Sequence, residues 1–185
     1  PKRNNLVVIM AGGKGKRLRP LSNDIPKPMI DVGGVPLLES IIGRLTSNGF
    51  SNIHISINYL GHKIKDYFLD GSKFGCKISY LEEKKPLGTG GSLSLIKEKT
   101  DLPILVLNGD LVTDVNFNDM VEYHGKNNFS ATVGIREYNY QIPFGVVNLE
   151  NQLVKNFTEK PNLSYFINTG IYVLNPSVMD HIPKD

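Results

Sequence analysis

Short apolar runs rich in β-branched residues are spaced along the first 110 positions. They are separated by stretches whose apolar residues recur every three or four positions. Runs of the first kind are typical of buried strands, and stretches of the second kind are typical of helices. The predicted strands occupy residues 6–10, 53–57, 77–81 and 104–107. Strands that alternate with helices predict an α/β fold with a mostly parallel, doubly wound sheet.

The clearest helix is predicted between the first two strands. Its apolar residues fall on one helical face, and they are Leu37, Leu38, Ile41, Ile42 and Leu45. Pro36 stands at the start of this stretch and Gly49 follows its end, where helices favour these two residue types. Shorter helices are predicted at residues 64–69 and 90–99, and the second of these begins in a glycine-rich turn.

The pattern changes after Asp110. A helix is predicted near residues 118–126, and closely spaced strands follow at 132–136, 145–149, 154–158 and 171–174. Such close spacing indicates an antiparallel or mixed arrangement in this half. The complete prediction is therefore an α/β fold with a Rossmann-like, doubly wound mixed sheet.

Length and composition fit a single globular domain over residues 1–185. Of the 185 residues, 40% are hydrophobic, and no linker rich in Pro, Gly or Ser divides the chain. The chain begins with Pro1, and its last apolar segment stops at Asp185. We therefore expect a core domain that is cut short at its carboxyl end and can be preceded by other domains in a parent protein.

Composition also excludes several classes of function. The formal net charge is +3, and Lys and Arg are dispersed except around residues 14–19, which does not indicate a nucleic-acid surface. No apolar run approaches the roughly 20 residues that cross a bilayer. Cys76 is the single cysteine, so an internal disulfide and a paired-thiolate metal site are excluded. We expect a cytoplasmic protein that binds neither nucleic acid nor membrane. The sequence is compatible with a homo-oligomer and does not decide the oligomeric state.

A glycine-rich basic loop, AGGKGKRLRP, follows the first predicted strand at residues 11–20. Its glycines allow close approach of the backbone to a ligand, and its four cations suit a polyphosphate. The loop lacks the spacing of a P-loop, and Leu18 stands where a dinucleotide-binding motif needs its third glycine. A solvated basic turn is the alternative.

A second segment, IPKPM at residues 25–29, fixes the backbone of Lys27 between two prolines. Its ammonium is thereby presented with reduced chain freedom, which fits anion binding. An extended loop with an exposed lysine is the alternative.

Together these two segments resemble the signature of the sugar-phosphate nucleotidyltransferases, a family that includes mannose-1-phosphate guanylyltransferases and glucose-1-phosphate thymidylyltransferases. Further motifs follow in the family's order, namely EEKKPLGTGG at 82–91, LNGD at 107–110, FGVV at 144–147, TEKP at 158–161 and NTG at 168–170. The motifs are most similar to those of the mannose-1-phosphate guanylyltransferase-like members.

Two features depart from the family pattern. Lys16 stands where many members have Thr or Ser, which can alter local phosphate contacts. The family also has a second metal-binding aspartate beyond the NTG segment, and this chain stops before such a segment. The resemblance thus leaves open whether this chain catalyses the family's reaction or only binds its ligands.

The resemblance implies transfer of a nucleotidyl group from a nucleoside triphosphate to a sugar 1-phosphate, with pyrophosphate as the second product. Arg17, Lys27 and Asp110 would be the catalytic residues, with both cations close to the phosphates. The nucleotide-binding residues that the resemblance implies are Ala11, Gly12, Gly13, Gly15, Glu83 and Gly88. Gly145, Glu159, Lys160, Asn168 and Thr169 would bind the sugar phosphate, with Lys160 on its phosphate group.

Asp110 is also a candidate from its position alone. It follows the run 104–107 directly, at the carboxyl end of a predicted strand, where open α/β sheets bind ligands. Mg²⁺ commonly takes one or two protein carboxylates together with substrate phosphates, so Asp110 is the predicted Mg²⁺ ligand. A turn residue is the alternative, because Asn, Gly and Asp often build turns.

Glu83 bears on the choice of base. Guanine offers two adjacent donors, N1–H and the 2-amino group, and an ionised carboxylate only accepts hydrogen bonds. Members of the family that use uridylyl or thymidylyl groups have Gln at the corresponding place, so Glu83 favours GTP. A solvated charge beside Lys84 and Lys85 is the alternative.

Two other functions are also compatible with the sequence. One is a non-catalytic relative that senses a nucleotide or nucleotide sugar, and the other is a binding module that holds product without metal dependence. Retention of charged residues such as Lys27, Asp110 and Lys160 favours the enzyme, because a silent copy is free to lose them.

Overall fold

A computed structural model describes residues 2–13, 15 and 24–183. They divide into two compact units. The first contains the described residues up to Thr132 together with those from Gly170 onward, and the second is Val133–Thr169.

Strands and helices follow in an order close to the predicted one. The strands are β1 (Arg3–Met10), β2 (Asp31–Val32), β3 (Val35–Pro36), β4 (Phe50–Ile57), β5 (Lys77–Glu82), β6 (Ile104–Asn108), β7 (Ala131–Gln141), β8 (Val146–Glu150), β9 (Leu153–Thr158) and β10 (Asn162–Leu174). The α-helices are α1 (Leu37–Ser47), α2 (Gly61–Phe68) and α3 (Phe117–Asn127), and short 3-10 helices occupy Lys27–Met29, Ser72–Phe74, Gly91–Leu95 and Pro176–His181.

The first unit is built on a mixed sheet in which β1 is central. Strand β1 pairs in parallel with β4 and with β6, and β4 pairs in parallel with β5. The last residues of β10, Ile171–Leu174, pair antiparallel with β6. This arrangement confirms the prediction of an α/β fold with a mostly parallel, mixed sheet.

Each face of this sheet has its own apolar core. One face carries alternate residues of β1 and β4, such as Val7 and Ile55, and packs against apolar residues of α1, α2 and α3. The other face carries Leu6 and Val8 and packs against the segments around Leu93 and Met179. Burial of one large aliphatic side chain contributes about 1.5–3 kcal/mol to the free energy of folding. The two apolar layers therefore stabilise the sheet from both faces.

Helix α1 agrees closely with its prediction. Leu38, Ile41, Ile42 and Leu45 are buried, Pro36 precedes the helix, and Gly49 follows it with φ of 88°.

The prediction of a helix over residues 90–99 is wrong. Only a 3-10 helix forms over Gly91–Leu95, and Ile96 after it has extended backbone angles. The Ser94 hydroxyl donates to the carbonyl of Gly91 at 2.6 Å, so a side chain competes for a backbone acceptor of the turn. Two glycines at the start weaken helix formation further.

The second unit is a small antiparallel structure. Strands β8 and β9 form a hairpin with Val146 opposite Thr158, and its turn residues Asn151 and Gln152 have positive φ. Asn is common in such hairpin turns because it tolerates the left-handed region. The predicted antiparallel or mixed strands are therefore confirmed in this half.

In the part of the chain that the structure describes, no helix is long and apolar enough to span a bilayer.

Candidate functional site

A cavity of about 600 Å³ lies at the carboxyl ends of the parallel strands in the first unit. Strands β1, β4 and β6 end at this edge, so the residues that follow each of them meet there. The residues that line the cavity are Met10, Ala11, Gly12, Gly13, Gly15, Lys27, Pro28, Ser56, Asn58, Glu83, Pro86, Gly88, Thr89, Asn108, Gly109 and Asp110.

The backbone at this edge is tightly packed. Ala11 N–H donates to the carbonyl of Ser56, and Gly109 N–H donates to the carbonyl of Met10, each at 2.9 Å. A Cβ at position 109 would lie 2.9 Å from that Met10 oxygen, closer than Cβ atoms come to backbone oxygen in real proteins. Gly109 therefore lets the chain leave β6 and bring Asp110 into the cavity.

The carboxylate of Glu83 is held by two protein donors. The Ser56 hydroxyl donates to Oε1 at 2.5 Å, and the backbone N–H of Leu87 donates to Oε2 at 3.1 Å. The backbone of Glu83 is fixed as well, because its N–H donates to the carbonyl of Ile57 at 3.0 Å and its carbonyl accepts from Asn58 Nδ2 at 2.7 Å. Glu83 is thus a positioned acceptor in the cavity rather than a solvated charge.

Gly12 lies directly against this carboxylate. A Cβ at position 12 would be 3.3 Å from Glu83 Oε1 and 3.3 Å from the Cβ of Asn58. A larger residue there would press on Glu83 and narrow the cavity. The absence of a side chain at Gly12 leaves its backbone open to a ligand.

Lys27 and Asp110 form an ion pair in the cavity. Lys27 begins the 3-10 helix Lys27–Met29, in which Pro28 is buried and the N–H of Met29 donates to the carbonyl of Pro26 at 2.8 Å. The side chains of Lys27 and Asp110 are 37% and 28% exposed. Both charges therefore remain accessible to a ligand.

Among the described residues, the cavity offers few side chains that could hold a metal ion. Within residues 2–13, 15 and 24–183, no three or more His, Cys, Asp or Glu side chains come close enough together to hold a metal ion. Asp110 supplies a single carboxylate oxygen donor at the strand end. That suits Mg²⁺, which accepts few protein ligands beside phosphate and water, and it does not suit a structural zinc site.

The structure brings most of the predicted nucleotide-side residues together. Those that line the one cavity are Ala11, Gly12, Gly13, Gly15, Lys27, Glu83, Gly88 and Asp110. Arg17, the remaining predicted catalytic residue, lies outside the described residues. Ser56 and Asn58 were missed, because a serine inside a strand and an asparagine after it carry no distinctive sequence signal.

The predicted sugar-side residues lie in the second unit. A Cβ on Gly145 would be 3.1 Å from Glu159 Oε2, so the two residues are in close contact. Lys160 Nζ is 3.9 Å from Glu159 Oε1, and Lys160 has φ of 44°. Gly145, Glu159 and Lys160 therefore lie close together.

The other two predicted sugar-side residues, Asn168 and Thr169, lie in β10. The Thr169 hydroxyl donates to the carbonyl of Gly134 at 2.7 Å, so this side chain contributes to the pairing of β10 with β7.

Comparison with known proteins gives consistent matches. The sequence model of the Nucleotidyl transferase family matches residues 6–185. A mannose-1-phosphate guanyltransferase from Yarrowia lipolytica is 36% identical over 186 residues, covering 95% of this chain and 50% of that protein. A UTP–glucose-1-phosphate uridylyltransferase from Synechocystis is 35% identical over 196 residues, covering 96% of this chain and 50% of that protein.

A solved structure is also similar. HddC from Yersinia pseudotuberculosis superposes with a TM-score of 0.75 at 28% identity, over 97% of this chain and 80% of that one. The same protein has been solved in complex with GMP-PN, and that structure superposes with a TM-score of 0.73 at 27% identity. The chain spans about half the length of the curated relatives it matches.

Proposed function

Because the chain belongs to the Nucleotidyl transferase family, we propose that it transfers a nucleotidyl group from a nucleoside triphosphate to a sugar 1-phosphate and releases pyrophosphate. One observation carries this proposal. The open backbone at Gly12 and Gly13, the Lys27–Asp110 ion pair and the anchored carboxylate of Glu83 all line a single cavity. A triphosphate and a base need these three kinds of group.

The reaction is an in-line displacement. A phosphate oxygen of the sugar 1-phosphate attacks the α-phosphorus, a new P–O bond forms, and the bond to the β-phosphate oxygen breaks so that pyrophosphate leaves. The attacking phosphate is ionised near neutral pH, so no general base is required. The barrier arises because two polyanions must be brought together and because negative charge develops in the transition state. Cations held in fixed positions lower both costs.

Lys27 and Asp110 would divide this task. When the triphosphate binds, the Lys27 ammonium would exchange its carboxylate partner for phosphate oxygens, and Asp110 would be the residue that holds the metal ion. Bound Mg²⁺ would neutralise phosphate charge and orient the triphosphate. Backbone N–H groups at Gly12 and Gly13 supply further donors without bulk, and Arg17 is proposed as an additional cation on the triphosphate.

We propose GTP as the nucleotide. The two oxygens of Glu83 form an acceptor pair, and the N1–H and 2-amino groups of guanine are a matching donor pair. The similarity to a guanyltransferase and to a protein solved with GMP-PN supports this choice. The similarity to a uridylyltransferase makes the choice of base the first point to test.

On the acceptor side, we propose that Lys160 binds the phosphate of the sugar 1-phosphate. Glu159 would accept hydrogen bonds from sugar hydroxyls, and the backbone at Gly145 would contact the sugar because that position has no side chain. Asn168 and Thr169 complete the proposed set, with Thr169 the weaker candidate since its hydroxyl is already bonded to Gly134.

The test is pyrophosphate release with Mg²⁺, each of GTP, UTP, dTTP, CTP and ATP, and a panel of sugar 1-phosphates. Release with GTP is expected to exceed release with UTP. Glu83→Gln should reverse that order, because an amide offers one donor and one acceptor, as uracil does. Nucleotide binding without release for any pair would contradict the enzyme and favour a nucleotide sensor, whereas preferred release with UTP would contradict only the choice of base.

A further inference from the structure

We propose that Ser56 is a positioning residue that sets the orientation of the Glu83 carboxylate and so takes part in the choice of base. This inference rests on the proposed function, since it concerns how the same cavity recognises guanine. Ser56 is fully buried in β4, yet it borders the cavity and its hydroxyl points to Glu83 Oε1 at 2.5 Å.

Two donors from different elements fix the plane of the carboxylate. Ser56 belongs to β4, and Leu87, whose N–H reaches Oε2, belongs to the loop after β5. A carboxylate held at one oxygen can rotate about its terminal torsion, and one held at both oxygens cannot. Ser56 therefore removes the remaining freedom of Glu83.

Each oxygen keeps acceptor capacity after these contacts. An ionised carboxylate has about four lone-pair sites, and the protein donors occupy one site on each oxygen. The remaining sites can accept two parallel donors from a ligand. Loss of the Ser56 hydroxyl should leave Glu83 able to accept hydrogen bonds but unable to present both oxygens at once.

The hydroxyl also has a property that the Leu87 N–H lacks. A hydroxyl can donate or accept, whereas a backbone N–H can only donate. If Gln replaces Glu83, its amide oxygen must face Leu87 and its amide nitrogen can face Ser56. Ser56 can therefore bond to either Glu or Gln at position 83. The Leu87 N–H orients the Gln amide, because it can bond only to the amide oxygen.

Binding of GTP and ITP by purified protein tests this proposal, because inosine keeps N1–H and lacks the 2-amino group. The wild type is expected to bind GTP about 10-fold or more tightly than ITP, the effect of one hydrogen bond to a charged group. Ser56→Ala should lower that ratio to about 3-fold or less by the same reasoning. Since the ratio compares two ligands on the same folded sample, a general loss of stability does not change it.

A double variant separates positioning from a direct contact. In a Glu83→Ala background, Ser56→Ala should leave the ratio unchanged, because Ser56 acts only through Glu83. Ser51→Ala is the matched control, since Ser51 lies at the opposite end of the same strand. It should keep the wild-type ratio.

Two outcomes would overturn the inference. A Ser56→Ala variant that retains the full GTP preference would refute the role of Ser56 and leave the proposed function standing. A wild type that binds GTP and ITP equally, or neither of them, would refute the proposed recognition of guanine and the role of Ser56 with it.

Discussion

The ammonium of Lys27 is ion-paired with the carboxylate of Asp110, which joins a proline-fixed turn to the end of strand β6. Neither charge is fully buried, so the pair can open without leaving an unpaired charge in an apolar interior. Each residue is thereby available for a phosphate or a metal ion.

Asp110→Asn is expected to lower kcat for pyrophosphate release by about 100-fold or more, because one ligand of the proposed metal loses its charge. The Mg²⁺ concentration that gives half-maximal rate should rise as well. Titrating Mg²⁺ at saturating substrates measures both effects. Asp101→Asn, at an exposed bend, is the control and should behave as the wild type. A kcat within twofold of the wild type would rule out the proposed role of Asp110.

Lys160→Ala should raise KM for the sugar 1-phosphate by about 10-fold or more, since one charge-assisted phosphate contact is lost. Affinity for the nucleotide should not change, because the proposed nucleotide contacts come from other residues. Lys155→Ala is a matched control in the same unit, where Lys155 pairs with Glu150 at 2.8 Å. Equal effects of the two substitutions on KM would show that general positive charge, and not Lys160, attracts the substrate.

Gly170→Ala should destabilise the fold more than Gly75→Ala. Both glycines have φ near 75°, so each substitution incurs the cost of about 1 kcal/mol for a Cβ in the left-handed region. A Cβ at position 170 would also lie 2.3 Å from Nδ2 of Asn108, whereas position 75 has open space around it. The additional cost should be about 1–3 kcal/mol in the free energy of unfolding, as for overpacked cores. Urea denaturation of the two variants measures the difference, and equal values would contradict the steric argument.

His54 makes stability depend on pH. It is 8% exposed, and burial lowers its pKa below the ordinary 6.5, with Lys77 acting in the same direction and Glu98 opposing. The folded protein therefore takes up a proton at His54 less readily than the unfolded chain, and the free energy of unfolding should fall as the pH drops through 6.5.

Urea denaturation between pH 7.5 and pH 5, taken at about half-unit steps, checks this dependence. His54→Asn should make the decline shallower without abolishing it, because burial also lowers the pKa of His124. An unchanged decline in the variant would show that other groups cause it.

Elements whose boundaries depend on local chemistry were predictable. Helix α1 has a proline before it, a glycine after it and four buried residues on one face, and all of these features are visible in the sequence. The segment from Gly90 onward was not predictable in the same way. Its apolar residues Leu93 and Ile96 have helical spacing, but the outcome depended on the hydrogen bond between Ser94 and Gly91 and on packing against the sheet.

The candidate site shows the same division. Glycines, a proline-bound lysine and an aspartate after a strand are unusual enough to be noticed, so Gly12, Lys27 and Asp110 could be identified in advance. Ser56 and Asn58 are ordinary residues at the end of a strand. Their relation to Glu83, 27 and 25 positions away, exists only after β4 and β5 pair.

The two-sided support of Glu83 has a consequence for protein engineering. In a mutant library that varies position 83 alone, every new side chain still faces the Ser56 hydroxyl and the Leu87 N–H. These two groups suit a carboxylate or one orientation of an amide. Libraries aimed at other bases should therefore vary position 56 together with position 83, and they should keep Gly12, because a larger residue there fills the space that a redirected side chain needs. Apart from Glu83→Gln, whose amide the two donors can accommodate, altered nucleotide preference would then require coordinated changes at positions 56 and 83.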